Sequence, residues 1–234
     1  MFKDIQVTLY DIFGYLLPGV VVFAALIILM WSIFWPSDTL VIQSTLPTVE
    51  LVGLLLATYI AGHLVQGLAN VLESIVRRWN FLNEMPLSAE LTKLVRGAAA
   101  SHFGKEVESL SSRELFGLCD QTLLHHGSPG EREIFVYREG FYRGIFVALC
   151  LLTLALFARM VSRPILICAF GIDTELWRRH VAFGAFLAAV GAIFAFRRYI
   201  RFAEHCRRAG FLRFLALAQE GYPKKEGKKD DKKD

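Results

Sequence analysis

Six polar side chains recur along one face of a stretch that is otherwise apolar. They are Tyr59, His63, Gln66, Asn70, Glu73 and Arg77, at spacings of 4, 3, 4, 3 and 4 residues. At about 100° per residue, these positions fall within roughly 80° of one another on a helix. We term this set the polar stripe. Its amide, imidazole and carboxylate groups could line a path for water or ions, and His63 could change its charge near neutral pH.

Polar packing between helices is a second interpretation of the same residues. Gln66 and Asn70 would then hydrogen bond to neighbouring membrane helices, while Glu73 and Arg77 would lie among the lipid headgroups. A lone histidine is more often a hydrogen-bonded structural group than a protonation switch. Under either interpretation the stripe must face protein or water, because lipid chains offer polar groups no hydrogen-bonding partner.

The stripe begins inside one of four apolar blocks in a chain of 234 residues that is 54% hydrophobic. The blocks are Ile12–Trp35, Leu51–Leu72, Gly144–Ala158 and Val181–Phe196. The first two are uncharged and long enough to cross a bilayer as helices. The other two are shorter, but flanking arginines can extend their side chains to the headgroups. The sequence therefore predicts an all-α integral membrane protein with four transmembrane helices.

These spans divide the chain into five predicted segments. The first is an N-terminal membrane hairpin at 1–72, with spans at about 12–35 and 51–72, and a helical cytosolic insert at 73–143 follows it. A C-terminal membrane hairpin at 144–196 comes next, with spans at about 144–160 and 180–196. The last two segments are a basic amphipathic helix at 197–220 and a disordered charged tail at 221–234. Capping-box patterns at Ser111–Glu114 and Ser128–Glu131 predict helix starts within the insert. Residues 164–172 are too few to span and too apolar for free solvent, which favours a re-entrant or interfacial segment.

The distribution of basic residues predicts the orientation of the spans. Of 26 lysines and arginines, 22 lie before the first span, between the second and third spans, or after the fourth. Such residues stay on the cytoplasmic side, so we expect both termini inside. The remaining four, Arg159 among them, lie at span ends, where we expect headgroup contacts. Six further arginines are expected to contact anionic lipid headgroups: Arg197, Arg198, Arg201, Arg207, Arg208 and Arg213.

Small residues form two more rows. The second span carries Gly53, Ala57 and Ala61, and the fourth carries Gly184, Ala188, Gly191 and Ala195. Such rows let membrane helices approach closely, within a chain or between copies. We therefore expect a homo-oligomer, and the row on the fourth span is a candidate partner for the polar stripe.

The first span opens with the string Asp11-Ile-Phe-Gly-Tyr-Leu-Leu-Pro-Gly19. Pro18 removes a backbone donor inside the helix, and Gly14 and Gly19 allow a neighbour to approach, so we expect a kink here. The string resembles the start of small, mostly uncharacterised bacterial multi-pass inner-membrane proteins, some of which lie among phage-defence genes. This resemblance covers nine residues. It implies a bacterial inner-membrane protein and carries over no functional residue.

No catalytic or nucleotide-binding motif is visible in the sequence. The four cysteines are scattered, and His125 and His126 lack further ligands at suitable spacing, so we expect no metal and no cofactor. The basic residues accompany no recognisable nucleic-acid-binding module, so we expect no nucleic-acid partner.

Two functions are compatible with this organisation. The first is a homo-oligomeric pore-like or gated membrane effector or sensor, coupled to a cytosolic partner and set in a phage-defence context. The second is a non-conducting membrane anchor or scaffold that docks a cytosolic partner through residues 73–142. A solute transporter is less favoured, because the two pairs of spans show no inverted repeat.

Overall fold

A computed structural model describes residues 2–34, 47–78, 89–126, 132–162 and 174–220. These ranges contain α-helices and one short 3-10 helix, and no strand. The α-helices are α1 (Phe2–Phe34), α2 (Thr48–Arg78), α3 (Ala89–Phe103), α4 (Ser112–His125), α5 (Arg132–Ser162) and α6 (Thr174–Glu220), and the 3-10 helix is Lys105–Ser109. The predicted all-α fold is confirmed. The predicted capping box at Ser128, the segment 164–172 and the tail at 221–234 lie outside the described residues.

Four of these helices are long and apolar enough to cross a membrane, which confirms the predicted number of spans. Each contains an apolar window of 18 residues, and the ranges that hold these windows are Gly14–Phe34 in α1, Thr48–Ile75 in α2, Ile134–Val161 in α5 and Arg178–Glu220 in α6. The protein is thus a multi-pass membrane protein. Both α5 and α6 extend well beyond the predicted spans, because no proline interrupts them and their polar ends remain helical.

The chain forms two compact units. Unit 1 comprises Met1–Leu82 and Val136–Phe202, and unit 2 comprises Asn83–Phe135 and Ala203–Asp234. This division differs from the predicted one, in which the basic helix at 197–220 was a segment of its own. The physical reason is the apolar side of that helix, which is buried in the core of unit 2.

Unit 2 is built around nine buried residues from α3, the 3-10 helix, α4 and the end of α6. They are Val95, Ala99, Val107, Leu115, Cys119, Leu123, Phe211, Phe214 and Leu217. The aromatic rings of Phe116 and Phe211 meet edge to face, with centroids 5.4 Å apart. Burial of this apolar surface is the main source of stability for the unit.

Local signals in the sequence set the helix ends of unit 2. Gly104 follows the end of α3 with a φ of 97°, which a residue with a side chain rarely adopts. The capping box at the start of α4 is confirmed: the Glu114 backbone N–H donates to the Ser111 hydroxyl oxygen at 3.3 Å, and the Ser111 backbone N–H donates to the Glu114 carboxylate. In all, the Ser111 hydroxyl and backbone N–H donate to this carboxylate at 2.7 and 2.9 Å. These hydrogen bonds lower the pKa of Glu114 below its ordinary value of 4.5.

In unit 1, α1, α2 and α5 share a small core. It contains Val22, Val65, Ala69, Val147 and Ala148. Helix α6 packs on α5. There a Cβ added at Gly191 would lie 3.2 Å from the Leu149 side chain, and one added at Gly184 would lie 3.7 Å from Leu156. The small-residue row of α6 therefore faces leucines of α5.

Candidate functional site

Helices α1 and α2 touch through their backbones at Gly19 and Gly62. A Cβ on Gly19 would overlap the carbonyl group of Thr58, and a Cβ on Gly62 would overlap the carbonyl group of Tyr15. Only glycine fits at either position without separating the helices. This contact fixes the level at which the polar stripe of α2 meets α1.

One turn away, Gln66 of the stripe compensates for a defect in α1. Pro18 has no N–H, so the carbonyl group of Gly14 lacks the donor that an α-helix normally supplies four residues later. The Gln66 Nε2 donates to this carbonyl oxygen at 3.3 Å. α1 runs unbroken through Pro18. The side chain of Gln66 therefore supplies a hydrogen bond that the sequence of α1 removes.

The same amide also reaches α5. Gln66 Nε2 donates to the carbonyl oxygen of Gly140 at 3.1 Å. A Cβ on Gly144 would overlap this amide and would lie 3.3 Å from the Pro18 ring, so glycine is required for the approach. We term Gly14, Pro18, Gln66, Gly140 and Gly144 the glutamine junction. It joins three membrane-spanning helices through one side chain.

Three aromatic rings lie beside the junction. The His63 ring stacks on Tyr15 with centroids 4.0 Å apart and an interplanar angle of 22°. Tyr59 meets His63 edge to face at 4.6 Å, and it lies 6.1 Å from Tyr15. Stacking of this kind contributes to packing and leaves the ring nitrogens of His63 available for hydrogen bonds.

An ion pair between α2 and α5 lies further along the stripe. The Arg143 guanidinium donates to the Glu73 carboxylate, and their side chains are 19% and 14% exposed. The phenols of Tyr15 and Tyr199 lie within electrostatic range of the same guanidinium. The Glu73–Arg143 pair is therefore a second polar connection within unit 1, between α2 and α5.

The structure divides the polar stripe into two edges. Gln66 and Glu73 are half-buried on the side that faces α1 and α5. Tyr59, His63 and Asn70 are exposed. The side chain of Arg77 is outside the described residues. The stripe thus follows the boundary between the packed face and the free face of α2.

The free face of α2 is apolar beyond this boundary. Leu56, Ile60, Leu64 and Leu68 are 46–71% exposed and lie side by side on the helix surface. A leucine-rich face of this kind is suited to lipid chains rather than to water. In the described chain, α2 therefore offers only a narrow polar edge.

Arg159 lies at the far end of α5. The sequence predicted a headgroup contact, but the side chain is only 8% exposed and donates from Nη1 to the carbonyl oxygen of Trp31 at 3.4 Å. The last four carbonyl groups of a helix have no partner within the helix, and Trp31 lies in the last turn of α1. The predicted headgroup contact is therefore wrong, because the buried guanidinium of Arg159 donates a hydrogen bond to a carbonyl group that the end of α1 leaves without a donor.

The predicted lipid-contacting arginines occupy different environments. Arg197, Arg198, Arg201 and Arg208 are exposed, and Arg207 and Arg213 are half-buried. Arg197, Arg198 and Arg201 belong to unit 1, and Arg207, Arg208 and Arg213 belong to unit 2. Their contacts with anionic headgroups remain a prediction.

Only part of the small-residue row of α2 packs against a neighbouring helix. Ala61 is buried, Ala57 is half-buried, and Gly53 is exposed with no neighbouring atom within 4 Å of an added Cβ. In α6, Ala188 and Ala195 are buried. The α6 row was a candidate partner for the polar stripe; the described contacts of Gly184 and Gly191 are with Leu156 and Leu149 of α5.

Several residues of this site were not singled out from the sequence. Gly62, Gly144 and Tyr199 belong to no motif, and Tyr15 was noted only as part of the string Asp11–Gly19; all four matter through contacts between distant helices. One signal was present: a proline inside a span leaves the carbonyl group four residues earlier without a donor, so a polar side chain is needed nearby.

Comparisons with protein-family models, with curated proteins and with solved structures find no match for this chain. The packing and chemistry of the described residues are therefore the guide to its function.

Proposed function

We propose that this protein is a non-conducting anchor of the bacterial inner membrane that docks a cytosolic protein partner through unit 2. The observation that carries the proposal is the double hydrogen bond of Gln66 to Gly14 and Gly140. Gln66 lies at the centre of the polar stripe, and a water path along the stripe would have to pass this residue. Its side chain is instead bonded to two neighbouring helices. The Glu73–Arg143 pair uses a second part of the stripe in the same way.

Unit 2 has the properties of a docking module. It has a buried core of its own, and it displays apolar side chains at its surface, of which Leu94 is 62% and Leu124 is 56% exposed. An open cleft of about 670 Å³ lies beside α3 and is lined by residues that include Lys93 and Glu108. The excess of lysine and arginine on this side of the spans supports a cytosolic location.

Electrical recording tests the anchor directly. The purified full-length chain is reconstituted into planar bilayers of neutral and anionic lipid. We expect the same current as in protein-free bilayers at every voltage. Unitary currents that disappear in His63→Leu or Gln66→Leu variants would contradict the proposal, provided that those variants keep the thermal stability of the original chain.

Docking is tested separately by cross-linking in cells followed by purification of the full-length chain. We expect one specific cytosolic protein to be lost from the Leu94→Glu and Leu124→Glu variants. Lys105→Glu is the matched control, because Lys105 is also exposed on unit 2 but is not apolar. The docking proposal fails if all four chains retain the same proteins.

A homo-oligomeric pore or gated effector is the second candidate function. The observation that favours it is the exposure of His63 and Asn70, two polar side chains within the segment Thr48–Ile75. In an assembly of several copies this edge could face a narrow water-filled centre. The recordings described above distinguish the two candidates, because only the pore carries current.

A further inference from the structure

The exposed edge of α2 contains His63, Gly67 and Asn70. These residues are four and three positions apart and therefore lie within about 60° of one another on the helix. All three are exposed, and no atom lies within 4 Å of a Cβ added to Gly67. The edge thus combines two hydrogen-bonding side chains with an open space between them.

This edge lies within the part of α2 that crosses the membrane. His63 is near the middle of the apolar segment Thr48–Ile75, and Asn70 is about 10 Å closer to one end. Among the described residues, His63 makes only ring contacts, and no hydrogen bond is seen for Asn70. Lipid chains cannot satisfy an imidazole or an amide, so both groups require a protein partner or water.

We propose that a second copy of this chain packs against this edge, with the two α2 helices in contact at Gly67. Copies inserted with the same topology are parallel, so a two-fold axis along the membrane normal brings each residue opposite its own counterpart. A neutral imidazole has one donor and one acceptor, and an asparagine amide has both kinds of group. His63 and Asn70 can therefore each hydrogen bond to the same residue of the second copy.

Gly67 makes this contact sterically possible. Without a side chain at its centre, the edge lets two helix backbones approach closely enough for short polar groups to meet. Leu56 and Ile60, which are both 59% exposed, extend the same side of the helix and would add apolar contacts. The inference goes beyond the docking function, since it concerns unit 1 alone and applies with or without a cytosolic partner.

Disulfide cross-linking of the full-length chain in membrane vesicles tests the proposed contact. A cysteine replaces Gly67 in one variant and Leu68 in another, and the original chain gives the background of its four cysteines. Leu68 is the matched control, because it is 46% exposed in the same segment but about 100° away around the helix. We expect oxidation to give a covalent dimer with Gly67→Cys and only background with Leu68→Cys.

Three results would overturn the inference: equal cross-linking at both positions, none at either, or a cross-link from Gly67→Cys to a different protein. A second measurement uses Asn70→Leu, which we expect to weaken self-association in detergent about tenfold by sedimentation. An unchanged dissociation constant would also count against it. Failure of the docking proposal leaves these results unaffected, because docking is measured on variants of unit 2.

Discussion

Replacing Gly62 by alanine is the sharpest perturbation that the site offers. The added Cβ would lie 2.7 Å from the carbonyl carbon of Tyr15 and 3.1 Å from its Cα, in addition to overlapping the carbonyl oxygen. Carbon atoms in contact prefer about 3.5–4.0 Å, so α1 and α2 must separate by about 1 Å. Separation also stretches the 3.3 Å hydrogen bond from Gln66 to Gly14, since the two contacts are one helical turn apart on α2.

The magnitude follows from the cost of overpacking. Inserting a methyl group into a well-packed contact costs about 1–3 kcal/mol, and it costs more when the obstacle is backbone that cannot rotate away. The higher helix propensity of alanine offsets about 1 kcal/mol of this. Because the obstacle at Gly62 is backbone, we take a cost of about 2–4 kcal/mol, which leaves a net loss of about 1–3 kcal/mol in the free energy of unfolding and lowers the Tm by about 3–10 °C for a chain of this size.

Thermal unfolding of the full-length chain in detergent, followed by circular dichroism, measures this effect. Gly53→Ala is the matched control, because Gly53 lies on the same helix and is exposed, with no atom within 4 Å of an added Cβ. We expect the control to leave the Tm unchanged or slightly raised. Equal Tm values for Gly62→Ala and the original chain would refute the close contact of α1 and α2.

Three further predictions concern polar and sulfur-containing groups. Glu73→Leu leaves the Arg143 guanidinium without its carboxylate and should cost about 2–4 kcal/mol, whereas the double variant with Arg143→Leu should recover much of the Tm. Ser111→Ala should cost about 1 kcal/mol, because α4 loses its N-cap. The pKa of Glu114 is depressed in the folded state, so its stabilising contribution is complete above about pH 4.5 and is lost as the pH falls further. Acid titration of the Tm should show this loss for the original chain and a smaller loss for Ser111→Ala, which keeps only the backbone hydrogen bond to Glu114. Burial and the adjacent carboxylate raise the pKa of Cys119 to about 12, so iodoacetamide at pH 8 should modify this thiol only after unit 2 unfolds, as peptide mapping can check.

Much of the fold could be predicted from the sequence because membrane-spanning helices and helix caps are local features. Long apolar blocks predict the four spans, and the capping box at Ser111 predicts the start of α4. The assignment of residues after Ala203 to unit 2 could not be predicted in this way. It depends on Phe211 and Phe214 packing against α3 and α4, which is a contact between distant parts of the chain.

The candidate site was predictable only in part, for a related reason. Helical periodicity places the polar stripe on one face, but it does not determine which edge of that face is packed. Gln66 and His63 are three residues apart, and yet the first is bonded to two helices while the second is exposed. Likewise, the position of Arg159 at a span end predicts a contact with lipid headgroups, although in the structure its guanidinium donates a hydrogen bond to the Trp31 carbonyl group at the end of α1.

The central claim is that no water path follows the polar stripe: Gln66 and Glu73 contact other helices, and the exposed edge with His63 faces lipid or a second copy. Thiol labelling measures this most directly. Cysteines replace His63 and Gln66 one at a time, and membrane vesicles are treated with a membrane-impermeant maleimide, which needs water to form the reactive thiolate. Leu64→Cys, on the lipid-facing side of α2, and Ser109→Cys, exposed on unit 2, provide the slow and fast references. We expect both stripe variants to react as slowly as Leu64→Cys. Labelling of Gln66→Cys at a rate close to that of Ser109→Cys, in a chain that keeps its Tm, would contradict the account.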